Sequence, residues 1–234
     1  MSESMNPGAA THRAVVFDLF GTLVPNLDPS LYRSMLADVA AMFGAEVEPF
    51  LKEWHRHFVH RMDGTLQDGD EMFLPTLDAL GLQASAQLLR EANDLRRETL
   101  RSALRPKPDA VSCLQEIRRR GLELALVTDC SSETPSLLDD MELGEFFPIR
   151  ACSAHLRARK PDPVMYTHVL GQLNLSGAEC LYVGDGNSEE LPGARRHDMT
   201  TVWVDNGDAQ HFKERFVPDA MHTVTNLTQI LELL

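Results

Sequence analysis

The sequence predicts an α/β fold, a parallel sheet flanked by helices, with an all-α segment inserted after the first strand. Three observations carry this. From residue 109 onward, short apolar runs alternate with stretches of helical periodicity, the pattern of strand–helix–strand units with right-handed crossovers. Segment 29–103 places apolar residues at helical spacing and has almost no strand signal. Three of the apolar runs end in Asp18, Thr128-Asp129 and Asp185, and open α/β sheets bind ligands at the carboxyl ends of their strands.

Ala14-Val15-Val16-Phe17 reads as a buried strand that delivers Asp18 to its end, with Gly21-Thr22 turning the chain. Leu31, Met35, Leu36, Val39 and Phe43 then recur at helical spacing, started by Pro29-Ser30 and stopped by Gly44. Further helices are expected over 47–62, 72–80 and 85–103. After Pro106-Lys107-Pro108 the alternation begins. It runs as helix 109–120, strand 122–127, helix 136–141, strand 149–153, helix 163–173, strand 180–183, helix 189–197, strand 200–204 and helix 227–234. The inserted helices follow the first strand, so they should sit above the edge where that strand ends.

The chain has 234 residues, 22 Lys plus Arg against 35 Asp plus Glu, and a formal charge of −13. That balance disfavours nucleic acid and anionic membranes as partners, since both need basic surface. No apolar run approaches the ~20 residues that span a bilayer, and the first twelve residues read as a loose polar tail without a signal-peptide core. Cys113, Cys130, Cys152 and Cys180 are widely spaced and lie in or beside apolar runs. They read as core thiols of a protein in the reducing cytoplasm. A monomer and a homodimer are equally compatible with the pattern.

Asp18 and Asp185 should meet at the sheet edge. Paired carboxylates repel unless a cation or proton lies between them, and Mg2+ commonly joins carboxylates to a substrate phosphate. Glu189 and Glu190 follow one turn after Asp185, and Lys160 stands in Arg159-Lys160-Pro161-Asp162-Pro163. Asp18, Asp185 and Glu190 carry three negative charges, which Mg2+ and Lys160 balance. The resulting neutral site accepts an anionic small molecule.

The arrangement resembles the haloacid dehalogenase superfamily of aspartate-nucleophile hydrolases, over roughly Val15 to Val204 and through all four of its motifs. These are Asp18-Leu19-Phe20-Gly21-Thr22-Leu23, Thr128 within Leu126-Val127-Thr128-Asp129, Lys160 within Lys160-Pro161-Asp162-Pro163, and Val183-Gly184-Asp185-Gly186 followed by Glu189-Glu190. The resemblance implies a Rossmann-like core made of residues 13–28 and 104–234, a helical cap over 29–103 and a flexible tail over 1–12. It implies Asp18 as nucleophile, Thr128 as hydroxyl donor to phosphate, and Lys160 as partner of both. Leu19, Phe20, Gly21 and Asp129 would complete the phosphate-binding loops. Mg2+ would be held by Asp18, Asp185 and the Phe20 carbonyl, with Glu190 in place of a carboxylate that is usually Asp and Glu189 as the alternative. The expected activity is hydrolysis of a small phosphorylated metabolite through an aspartyl-phosphate.

One position departs from the phosphatases of the superfamily. They carry an acid/base Asp two residues after the nucleophile, where this chain has Phe20. A positioned acid/base is worth ~10²–10⁴ in rate. His55, His57, His60, Asp63 and Asp129 are the candidates to replace it. An aromatic residue there is shared with the 2-haloacid dehalogenases, but those lack the Gly184-Asp185 metal position. A non-catalytic binding or regulatory protein is the third reading. Phosphonate hydrolysis ranks last, because the cap region offers only Lys52, with Lys107 after it.

Overall fold

The six strands among the described residues all run parallel, in the order β3-β2-β1-β4-β5-β6. They are β1 (Ala14–Phe17), β2 (Glu123–Thr128), β3 (Ile149–Cys152), β4 (Cys180–Gly184), β5 (Thr200–Val204) and β6 (His222–Val224). The computed structural model describes residues 12–67, 69–205, 207 and 219–234, so all but the last residue of the expected tail lies outside the described residues. The order is that of a Rossmann-like sheet, and β1 and β4 flank the point where it reverses, which is where such sheets bind ligands.

Successive strand residues point to opposite faces. Val15, Phe17, Leu124, Leu126, Leu181 and Val183 pack against α6 (Ala110–Arg119) on one face. Ala14, Val16, Ala125, Val127 and Tyr182 pack against α9 (Pro163–Leu173) and α10 (Glu190–Arg195) on the other. The inserted segment forms α1 (Pro29–Met42), α2 (Val47–Arg56), α3 (Phe58–Met62), α4 (Leu74–Ala79) and α5 (Ala86–Ala103). These helices have an apolar cluster of their own, in which Phe43, Phe50, Trp54 and Phe73 stack or tilt against one another. Caps set their starts: Asp28 accepts Ser30 N–H at 2.7 Å before Pro29, and Ser85 accepts Leu88 N–H.

Polar contacts from α3 and α5 tie this block to the core. Arg96 of α5 donates to Glu133 at 2.5 Å, both side chains almost fully buried, and Ser131 donates to the same oxygen at 2.6 Å. Ser153 opens α8 (Ser153–Leu156), and its hydroxyl lies 2.6 Å from the Met62 carbonyl of α3 and 3.1 Å from the Cys130 carbonyl.

Several boundaries differ from the sequence reading. The helix expected over 47–62 breaks at His57 into α2 and α3. The helix expected over 72–80 is a 3-10 turn at 70–73 followed by α4, and the one expected over 227–234 is a 3-10 segment, Leu227–Glu232, capped by Asn226. Strand β6, only three residues long, and the short helix α8 carry too little periodicity to be read. Among the described residues the four cysteines are free and buried, and no helix is long and apolar enough to cross a membrane.

Candidate active site

Asp18 follows β1, its N–H donating to the Val183 carbonyl of the neighbouring β4 at 2.9 Å. The chain then folds back on the Leu19 carbonyl, which accepts Leu23 N–H at 2.9 Å. Gly21, with φ near +80°, makes this turn; a side chain there would strike the Asp185 carboxylate. Gly184 is likewise bare where Glu190 approaches. Gly21 and Gly184 thus let carboxylates close in on the sheet edge.

Asp18 is 3% exposed. One of its oxygens accepts Lys160 Nζ at 2.5 Å, and the other accepts the Thr22 hydroxyl at 3.1 Å. Lys160 also donates to Glu190 at 2.7 Å, on the oxygen that accepts the Tyr182 hydroxyl at 3.1 Å. The second Glu190 oxygen accepts Gly186 N–H at 2.8 Å. Asp185 is half-buried and held by Asn187, from its amide N–H at 3.0 Å and its side chain at 2.6 Å, and by Asn26 at 3.4 Å.

Oxygens of Asp18, Asp185 and Glu190 lie within 4.8 Å of one another. With Lys160 the group carries a net double negative charge. Burial, reinforced by Asp185, holds the Asp18 carboxyl above its ordinary value despite the pull of Lys160. Burial and Asp18 do the same to Glu190. Burial alone would lower Lys160, but Asp18 and Glu190 keep its ammonium well above its ordinary value. A hard divalent cation fits this all-oxygen donor set and its excess charge.

Thr128 ends β2, and its hydroxyl is buried with no hydrogen-bond partner. Asp129 accepts Lys160 N–H at 2.9 Å, which fixes the loop that carries the lysine. A cleft of about 180 Å3 opens here, lined by Asp18, Phe20, Asp129, Lys160 and Asp185, by Asn26, Asn187, Ser188 and Arg159, and by Phe58 and Met62 from α3.

The fold thus brings Asp18, Phe20, Asp129, Lys160, Asp185 and Glu190 together. Leu19 is fully buried in the apolar core, and it is its carbonyl that organises the turn. Glu189 is exposed, left-handed at φ 50°, and not among the clustered carboxylates. His55, His57, His60 and Asp63 do not line the cleft: His55 bonds the Leu51 carbonyl at 2.6 Å, and Asp63 accepts Thr65 N–H at 2.9 Å. Lys52 is exposed and Lys107 donates to the Gly21 carbonyl. Sequence reasoning missed Thr22, Asn26, Asn187, Tyr182 and Arg159. Thr22, one turn past Asp18 inside the first motif, and Arg159, next to Lys160, carried a local signal.

A family model described as haloacid dehalogenase-like hydrolase matches residues 12–198. The chain belongs to that family. A glyceraldehyde 3-phosphate phosphatase of Methanopyrus kandleri is 26% identical over 212 residues, covering 87% of this chain and 88% of the relative. Among solved structures, a HAD phosphatase from Thermococcus onnurineus has a TM-score of 0.66 at 21% identity, over 94% of this chain and 97% of the other. A 2-haloacid dehalogenase from Pseudomonas syringae has a TM-score of 0.68 at 22% identity, over 95% and 97%. The last two establish the shared fold.

Proposed function

We propose that this family member is a Mg2+-dependent phosphatase that acts on a small phosphorylated metabolite through an aspartyl-phosphate on Asp18. The observation that carries this is Asp18 bonded to Lys160 beside Asp185, with the unpartnered Thr128 hydroxyl at the next strand end. The name of the Methanopyrus relative supports it. Helices α1–α5, within residues 29–103, serve as the cap, because α3 supplies Phe58 and Met62 to the cleft.

Asp18 attacks phosphorus and the bond to the leaving oxygen breaks, which gives the acyl phosphate. Water then cleaves it and restores the carboxylate. Lys160 holds Asp18 ionised and steadies the incoming anion. Thr128 donates to a phosphoryl oxygen. Asp18, Asp185 and the Phe20 carbonyl would hold Mg2+; Glu190, expected at the metal, stands beside Asp18 and Asp185 but spends its oxygens on Lys160, Tyr182 and Gly186 N–H, and so anchors the lysine behind the ion. When bound, the ion offsets the repulsion between carboxylates and phosphate. Of the candidates to replace the missing acid/base, Asp129 is the one in the cleft. One of its oxygens accepts Lys160 N–H and the other, ion-paired with Arg159, has no hydrogen-bond partner, so it suits taking a proton from attacking water better than giving one to a leaving alkoxide.

The test is phosphate release from a panel of small phosphoesters and acyl phosphates. Release is expected with Mg2+ and stops with chelator, and Asp18→Asn falls to background while its melting curve is kept. Halide release from a 2-haloacid without phosphate release would replace this reading by dehalogenation. Silence in both assays would point to a binding protein.

A further inference from the structure

Two cations line the cleft among the described residues, Lys160 and Arg159. Lys160 is consumed by Asp18 and Glu190. Arg159 is ion-paired with Asp129 but spends no hydrogen bond on it. Its Nε lies 3.7 Å from an Asp129 oxygen, beyond hydrogen-bond distance. Both that nitrogen and that oxygen are buried without a hydrogen-bond partner.

The guanidinium is nevertheless held in place. Asp129 is fixed on one side through its bond to Lys160 N–H at 2.9 Å. On the other side the Phe58 ring of α3 lies 5.6 Å from the guanidinium carbon, within reach of a cation–π contact. A planar fork of five donors, oriented from two sides and making no hydrogen bond among the described residues, is suited to a planar anion. At about 180 Å3 the cleft falls below the ~300–1,000 Å3 of common ligand pockets. A second anionic group held by Arg159 in this same cleft would lie close to the phosphate.

We infer that Arg159 binds a carboxylate on the substrate, so that the substrate is a short phosphorylated acid. This rests on the phosphatase reading above and deepens it. Lys160 and Thr128 take the phosphoryl group, and Arg159 takes the carboxylate through paired N–H···O bonds. Phe58 brings the cap into the same recognition, because it flanks the guanidinium from α3.

The test compares phosphoglycolate with 2-hydroxyethyl phosphate. They differ in the carboxylate, and both release an alkoxide, so the missing acid at Phe20 affects them alike. The wild-type chain with Mg2+ is expected to favour phosphoglycolate by about tenfold or more in kcat/KM. Arg159→Gln brings that ratio towards one, chiefly through KM on phosphoglycolate, and Arg159→Lys recovers part of it. Equal wild-type efficiencies, or a ratio that Arg159→Gln leaves unchanged, overturn the inference while the phosphatase reading stands. If no phosphoester is turned over, the phosphatase reading falls, and calorimetric titration with phosphoglycolate decides about Arg159. Binding weakened about tenfold in Arg159→Gln supports the carboxylate contact, and unweakened binding removes it.

Discussion

Phe20 occupies the position where a proton carrier is expected, and its ring lines the cleft beside Asp18. A phenyl ring transfers no proton, so the leaving group must depart largely unprotonated. Turnover should therefore favour substrates whose leaving oxygen is already acidic. Phe20→Asp is expected to raise kcat on alkyl phosphates by up to about 10²-fold and to change aryl or acyl phosphates little. Steady-state rates on the two classes check this, and equal or lower rates on both would remove Phe20 as the limit. The residues proposed to do the chemistry were legible because each punctuates a strand end or a short motif: Asp18, Thr128, Lys160 and Asp185. Their supports were not. Asn26 meets Asp185 across 159 positions of sequence, and Tyr182 reaches Glu190 only because the turn after β4 folds the glutamate back over the sheet. No local pattern encodes such pairings.

The inserted helices join the catalytic loop through Arg96 of α5 and Glu133, four residues after Asp129. Burial would raise the Glu133 carboxyl, but Arg96 and Ser131 hold it below its ordinary value. Its stabilising contribution is complete above the unfolded carboxylate value of ~4.3 and is lost as pH falls through the lower folded value. Arg96→Met leaves that carboxylate buried and uncompensated, at a cost of about 3–5 kcal/mol. Urea unfolding should show the full loss at pH 7 and a smaller one in acid, where Glu133 takes up a proton. A difference that does not depend on pH would mean packing, not charge, is what Arg96 supplies. The long helices were legible because their apolar stripes and caps agree. The break at His57 was not, since the apolar spacing of Phe50, Trp54 and Phe58 continues across it while the backbone does not.

Across the whole molecule, the strand order places β1 and β4 side by side, so that Asp18 and Asp185 face each other at the point where the sheet reverses. The alternation of elements made this class of sheet legible, but the pairing of particular strands depends on crossovers that no single segment encodes. Much of the stability at this edge should respond to a cation. Mg2+ bound by the folded site alone stabilises by mass action, and for a chain of this size each kcal/mol raises the melting temperature by ~2–4 °C. Millimolar Mg2+ should therefore raise the wild-type midpoint, and Asp185→Asn should lose most of that shift. An equal rise in both proteins would place the ion elsewhere.

Ser153 bears a single hydroxyl proton and has a carbonyl acceptor on either side, at Met62 of the helical block and at Cys130 of the sheet edge. Separation of α3 from α8 moves that proton to Cys130 and leaves the Met62 carbonyl to water, so no buried donor is orphaned. The joint above the cleft can thus exchange one bond for another at nearly constant hydrogen-bond count.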